Sequence, residues 1–134
     1  MNKYQYYYPA VLRPEDEGGY SIWIPDLPGC ISQGETIPES VEMIQEAMEL
    51  YISYSYEKNN LPKPPSNPQD VALEAGEFMV MVACDLLSYE KKHKSKAVKK
   101  TLTIPAWLNE IAEHENVNFS AVLQEALLQK FDIH

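Results

Sequence analysis

Lys99, Thr101 and Thr103 stand at alternate positions in residues 99–105, and Leu102 and Ile104 fill the other side of the same segment if it is extended. One face can join a core while the other presents a cation and two hydroxyls. Hydroxyls both donate and accept, so they can bond base edges in a DNA major groove, which is wide enough to admit a two-stranded ribbon. A lone strand leaves its backbone amides and carbonyls unpaired, and no second strand is evident nearby, so the pairing strand is expected from another copy of the chain. Upstream, Lys91, Lys92, Lys94, Lys96, Lys99 and Lys100 form a basic neck suited to phosphates, with Lys92 and Lys94 as candidate contacts. A solvated linker is the plainer reading of the same lysines.

Other chemistry is sparse. Asp26, Glu35 and Asp85 fall at expected strand ends without ligand spacing, and the first two strands carry no acidic residue in their apolar cores. His93, His114 and His134 fall in solvated positions, and no glycine-rich phosphate loop or nucleophile motif occurs. The expectation is no catalytic residue, no metal, no cofactor and no enzyme. Cys30 and Cys84 lie in apolar surroundings without C-x-x-C spacing and read as buried free thiols.

The charge is divided along the chain. Residues 1–90 hold 4 Lys/Arg against 15 Asp/Glu, a balance of −11, whereas residues 91–134 hold 7 against 5, a balance of +2. An acidic body and a basic neck call for two partners of opposite sign, a basic protein and a nucleic acid. With 134 residues, 45% of them hydrophobic, and no long apolar run, the chain is expected to be soluble and globular with no membrane partner. No leader-like segment opens it, so the expected compartment is the cytoplasm.

The elements that must position these groups follow from periodicity. Residues 4–12 alternate, with Tyr4, Tyr6, Tyr8, Ala10 and Leu12 on one face, and the acidic turn at 15–19 leads to a second strand at 20–24. A third short strand is expected at 30–34. Thr36 and Glu39 have capping-box spacing and open a helix running to about Glu57, with Val41, Ile44, Ala47, Met48, Tyr51 and Ile52 inward and Glu39, Glu42, Glu46 and Glu49 outward. Pro62, Pro64, Pro65 and Pro68 enforce an extended connector, and residues 77–86 form a fourth strand. Pro105 opens a helix carrying Trp107, Leu108, Ile111 and Ala112. Asn116 suits a left-handed helix end, and Asn118 caps a last helix carrying Val122, Leu123, Ala126, Leu127 and Phe131. The fold class is α+β: an antiparallel sheet with a packed helix over 1–87, a basic linker at 88–98, and a strand-helix-helix segment over 99–134. That last segment is too short to bury a sufficient core alone.

Two resemblances add to this. In length, order and strand pattern, residues 99–131 resemble the ribbon-helix-helix repressors, whose strands pair across a dimer and enter the major groove. The resemblance implies a homodimer on operator DNA, with Lys99, Thr101 and Thr103 reading bases and the Phe119 and Ser120 amides meeting a phosphate. Many members carry Arg or Lys at reading positions, where this chain has two threonines. Residues 6–52 resemble the HicB antitoxin domain, through Tyr8-Pro9-Ala10-Val11, Glu17-Gly18-Gly19-Tyr20-Ser21, Ile24-Pro25-Asp26-Leu27-Pro28-Gly29-Cys30 and Gln33-Gly34-Glu35-Thr36. This implies a partial RNase H-like domain, an antitoxin that occludes a HicA-type mRNA-cleaving ribonuclease toxin, and repression of its own operon. Trp23, Asp26, Leu27 and Glu35, with residues 15–17, are the expected exposed toxin contacts. The alternative is a ribbon-helix-helix regulator whose N-terminal domain senses a ligand or sets oligomeric state, without a toxin.

Overall fold

The computed structural model describes residues 3–134 and divides the chain into two compact units, Met1–Lys96 and Ala97–His134. In the first, three strands follow one another: β1 (Gln5–Pro14), β2 (Tyr20–Trp23) and β3 (Ile31–Gly34). A helix, α1 (Ile37–Glu57), then leads through a 3-10 turn at Pro68–Asp70 to β4 (Phe78–Asp85) and α2 (Leu86–His93). The sheet order is β3-β2-β1-β4 with every pair antiparallel. The first hairpin turns through Gly18 and Gly19 at φ of 99° and 76°, a region that residues with a Cβ avoid.

Alternation along the strands separates the two sheet faces. Tyr8, Ala10 and Leu12 of β1 share one face with Ile22, Val82 and Cys84, and α1 lays Ile44, Met48 and Ile52 against it. Full burial of each such aliphatic side chain contributes about 1.5–3 kcal/mol. The helix starts where the capping box places it: Thr36 Oγ accepts the Glu39 amide at 3.2 Å, and Ser40 Oγ donates to the Thr36 carbonyl at 2.7 Å. A Cβ on Gly34 would stand 2.6 Å from the Ser40 nitrogen, so glycine is what lets the helix start sit against β3. Beyond Lys58, Asn59 adopts φ 53° and the prolines prevent further helix. Both cysteines are buried free thiols, as expected, and burial pushes Cys30 up to about 11 and Cys84 to about 12.

Two expectations need correction. Residues 88–98 do not run as a linker throughout, because α2 takes up residues 86–93. Asp85 caps it, accepting the Ser88 amide at 3.1 Å and the Ser88 hydroxyl at 2.7 Å. Leu86 is buried, and Lys91, Lys92 and His93 complement the negative end of the helix. Nor does Glu49 lie on an open outer face. It is half-buried where α1 meets α2, and burial pushes its carboxyl up, with Glu46 adding to the effect while His93 and Lys92 oppose it.

The second unit holds α3 (Ala106–His114) and α4 (Phe119–Lys130). Asn116 takes the left-handed conformation at φ 57°, and Asn118 caps α4 by accepting the Ala121 amide at 3.0 Å, both as the sequence indicates. None of its residues is buried.

Candidate functional site

The residues expected to read DNA lie in unit 2. Lys99, Thr101 and Thr103 are exposed, and residues 99–105 form no hydrogen-bonded ladder in the single chain, which offers them no second strand among the described residues. Pro105 is extended at φ −58° and ψ 142°, ending that segment and starting α3. Leu102 and Ile104 are 56% and 45% exposed, Trp107 63% and Ile111 54%. These four apolar side chains are thus largely open to solvent in the single chain. Phe119 and Ser120 open α4 and are exposed, so their amides lie at the positive end of its helix dipole.

Lys92 and Lys94 belong to unit 1. Lys92 lies in the last turn of α2, near Glu49, and Lys94 caps the helix while pairing with Glu90 at 3.2 Å. Glu90 also accepts the Ser53 hydroxyl at 2.9 Å, tying α2 to α1. Part of the neck therefore has structural work beside any phosphate contact.

The structure separates the expected toxin contacts. Trp23 is half-buried with the Arg13 guanidinium 4.9 Å from its ring centroid, and Arg13 pairs with Glu77 at 2.7 Å. Glu35 and residues 15–17 are exposed. Glu15 accepts the Ser21 hydroxyl at 2.7 Å, which steadies the acidic turn.

Asp26 and Leu27, expected to be exposed, are buried. Asp26 latches the proline-rich connector, accepting the Ser66 amide at 2.8 Å and the Ser66 hydroxyl at 2.5 Å, with Lys63 Nζ at 3.5 Å. Burial pushes its carboxyl up, but the Ser66 bonds and Lys63 outweigh this and hold it below its ordinary range. Tyr8 completes the latch by donating to the Lys63 carbonyl at 2.6 Å. Its phenol is pushed up to about 12 by burial, with Tyr6, Asp26 and Tyr51 adding to it, and so stays a donor. The turn leaves Pro28 and Gly29 exposed, but Leu27 enters the core and Asp26 is covered by a connector some 40 positions away.

Among the described residues, no group of three His, Cys, Asp or Glu side chains is placed to hold a metal ion. No helix among the described residues is long and apolar enough to cross a membrane.

Residues 8–127 match the family model described as the HicB-like antitoxin of bacterial toxin-antitoxin systems. The chain belongs to the HicB-like antitoxin family. It is 38% identical over 69 residues to antitoxin HicB of Escherichia coli K12, covering 50% of each chain, so it spans about half the length of that curated relative. An uncharacterized 14.9 kDa protein of Haemophilus phage HP1 is 31% identical over 103 residues, covering 75% of this chain and 74% of its own. Among solved structures, a toxin-antitoxin complex from Streptococcus pneumoniae matches with a TM-score of 0.60 at 26% identity, covering 94% of this chain and 99% of the other. The HicB-like architecture accounts for the α+β class, with its four-stranded antiparallel sheet and four helices.

Proposed function

We propose that this chain is the antitoxin of a HicA-type toxin, using unit 1 to cover the toxin's RNA-binding or catalytic surface and unit 2, as a dimer, to repress its own operon. The observation that carries the reading is the contrast within one HicB-like chain between an acidic, fully cored first unit and a second unit, reached through a basic neck, none of whose residues is buried. Occlusion asks no chemistry of the antitoxin, which fits the sparse catalytic inventory. An acidic body also speeds encounter with a basic ribonuclease and discriminates against wrong partners. In the repressor arm, two copies of residues 99–105 pair as a ribbon, burying Leu102 and Ile104 and turning Lys99, Thr101 and Thr103 toward base edges.

Each arm has its own experiment. Coexpression with a catalytically competent HicA-type toxin is expected to restore growth, and toxin left fully active beside excess antitoxin sinks the first arm. On promoter DNA, Thr101→Ala and Thr103→Ala are each expected to lose about 1–3 kcal/mol of base discrimination. Removing the Lys92 charge weakens binding to all sequences alike and flattens its salt dependence. Lys94→Ala has the smaller effect, because Glu90 already offsets that charge. Unchanged sequence preference in the double threonine variant overturns the reading face.

A further inference from the structure

Helix α1 carries more apolar surface than its own core uses. Ser40, Ile44, Met48 and Ile52 face the sheet and are buried. On the neighbouring flank Met43, Ala47, Leu50 and Tyr54 recur at steps of four, three and four, which makes a second continuous stripe. Met43 is 40% exposed, Leu50 63% and Tyr54 61%. Ala47, Leu50 and Tyr54 of this stripe form one wall of an open groove of about 600 Å³, and the turn at Gly29 and Cys30 forms the other. The buried Cys30 thiol remains neutral because burial raises it, so that wall stays uncharged.

Carboxylates border the stripe. Glu39 lies four residues before Met43, Glu46 lies three after Met43 and four before Leu50, and Glu57 lies three after Tyr54. Residues at those separations are neighbours on a helix surface, and all three glutamates are exposed. The cation in the groove lining is Lys58, at the end of α1, with its Nζ 5.6 Å from the Tyr54 ring centroid. An apolar stripe with an acidic border fits a surface that is apolar at its centre and basic around it. A second copy of this chain does not meet that description, because its own groove brings the same carboxylates into opposition.

We propose that the groove between α1 and the Gly29–Cys30 turn is the docking surface for the basic ribonuclease partner. Leu50 and Tyr54 are its apolar anchors, and Glu46 and Glu57, the neighbours of those two on the helix surface, are its charged rim. This rests on the antitoxin reading and deepens it by replacing the buried Asp26 and Leu27 with a surface that is open. The turn contributes the wall of the groove rather than its contact side chains.

The test measures binding of the full chain to a catalytically inactive HicA-type toxin. Leu50→Arg and Tyr54→Arg, both at exposed positions, are expected to weaken binding at least about tenfold with thermal melting unchanged. Met81→Arg, 48% exposed on the sheet face opposite α1, is expected to bind within about threefold of the unsubstituted chain. Glu46→Lys leaves the stripe intact and is expected to weaken binding more at low salt than at high salt. If the unsubstituted chain binds while Leu50→Arg and Tyr54→Arg bind equally well, or Met81→Arg is as damaging as they are, the groove is wrong and the antitoxin reading survives. If the unsubstituted chain does not bind the toxin, both fall. A Glu46→Lys variant without a salt-dependent loss overturns the charged rim.

Discussion

Ile52 in α1 and Ile111 in α3 occupy comparable places, each on the apolar stripe of an amphipathic helix. Ile52 is 0% exposed and Ile111 is 54% exposed. The difference lies in what each helix has to lie on. Helix α1 rests on a four-stranded sheet whose inner face supplies Tyr8, Leu12, Ile22 and Val82, whereas α3 has within its unit only α4 and an unpaired segment. Fewer than about 40 residues seldom close a core without a metal, a disulfide or another chain. The two units therefore teach opposite lessons about amphipathic helices: in unit 1 the stripe is closed into a core, and in unit 2 it stays largely open to solvent.

The sharpest way to break this comparison is to separate the units. A fragment of residues 1–96 is expected to melt cooperatively at a temperature independent of protein concentration. Residues 97–134 are expected to lose helical circular dichroism on dilution, as the proposed dimer requires. Concentration-independent, cooperative melting of the 97–134 fragment defeats the comparison outright.

A smaller but more local effect comes from the two isoleucines. Ile52→Ala should cost about 2–5 kcal/mol in urea unfolding of unit 1 and leave the oligomeric state alone. Ile111→Ala should do the reverse, weakening self-association in sedimentation equilibrium while the unit 1 transition holds. Equal loss of unit 1 stability from both substitutions contradicts the assignment of Ile111 to an intermolecular surface.

The same division decides how far the sequence could be read. Local signals were dependable where one short stretch contains both the cause and its effect: Thr36 and Glu39 start α1, Asn118 caps α4, and the alternation of Tyr8, Ala10 and Leu12 sets the inner face of β1. Asp26 and Leu27 lie in a turn signal that suggests exposure, but Asp26 is covered by Lys63 and Ser66, far along the chain, and Leu27 enters the core between sheet and helix. In residues 88–98 the abundant lysines mask a helix signal, although Asp85 followed three positions later by Ser88, with Leu86 buried between them, offers one. Sequence also made one apolar stripe of α1 obvious. The second, through Met43, Leu50 and Tyr54, has the same period and becomes distinct only once the sheet fixes which flank is inside.

Acid offers the mildest way to sharpen the contrast, because Asp26 gives unit 1 a buried carboxylate latch and unit 2 buries no side chain at all. Although burial alone would raise it, the carboxyl of folded Asp26 is held low by the Ser66 hydroxyl, the Ser66 amide and Lys63. A group depressed on folding contributes stability that is present above its unfolded value of about 3.9 and is lost as pH falls through the folded value. Asp26→Asn preserves the shape but removes the charge that Lys63 and the two Ser66 donors approach, and should cost about 1.5–3 kcal/mol at pH 7. The deficit should shrink between pH 4 and pH 2, where the native carboxyl also becomes neutral. The variant will keep some acid sensitivity, because Asp85, through the Ser88 hydroxyl, and Glu77, through the Glu74 amide, are held low as well. Urea titrations of residues 1–96 across pH 2–7 measure this, and a deficit that stays constant over that range removes Asp26 from the acid response of the unit.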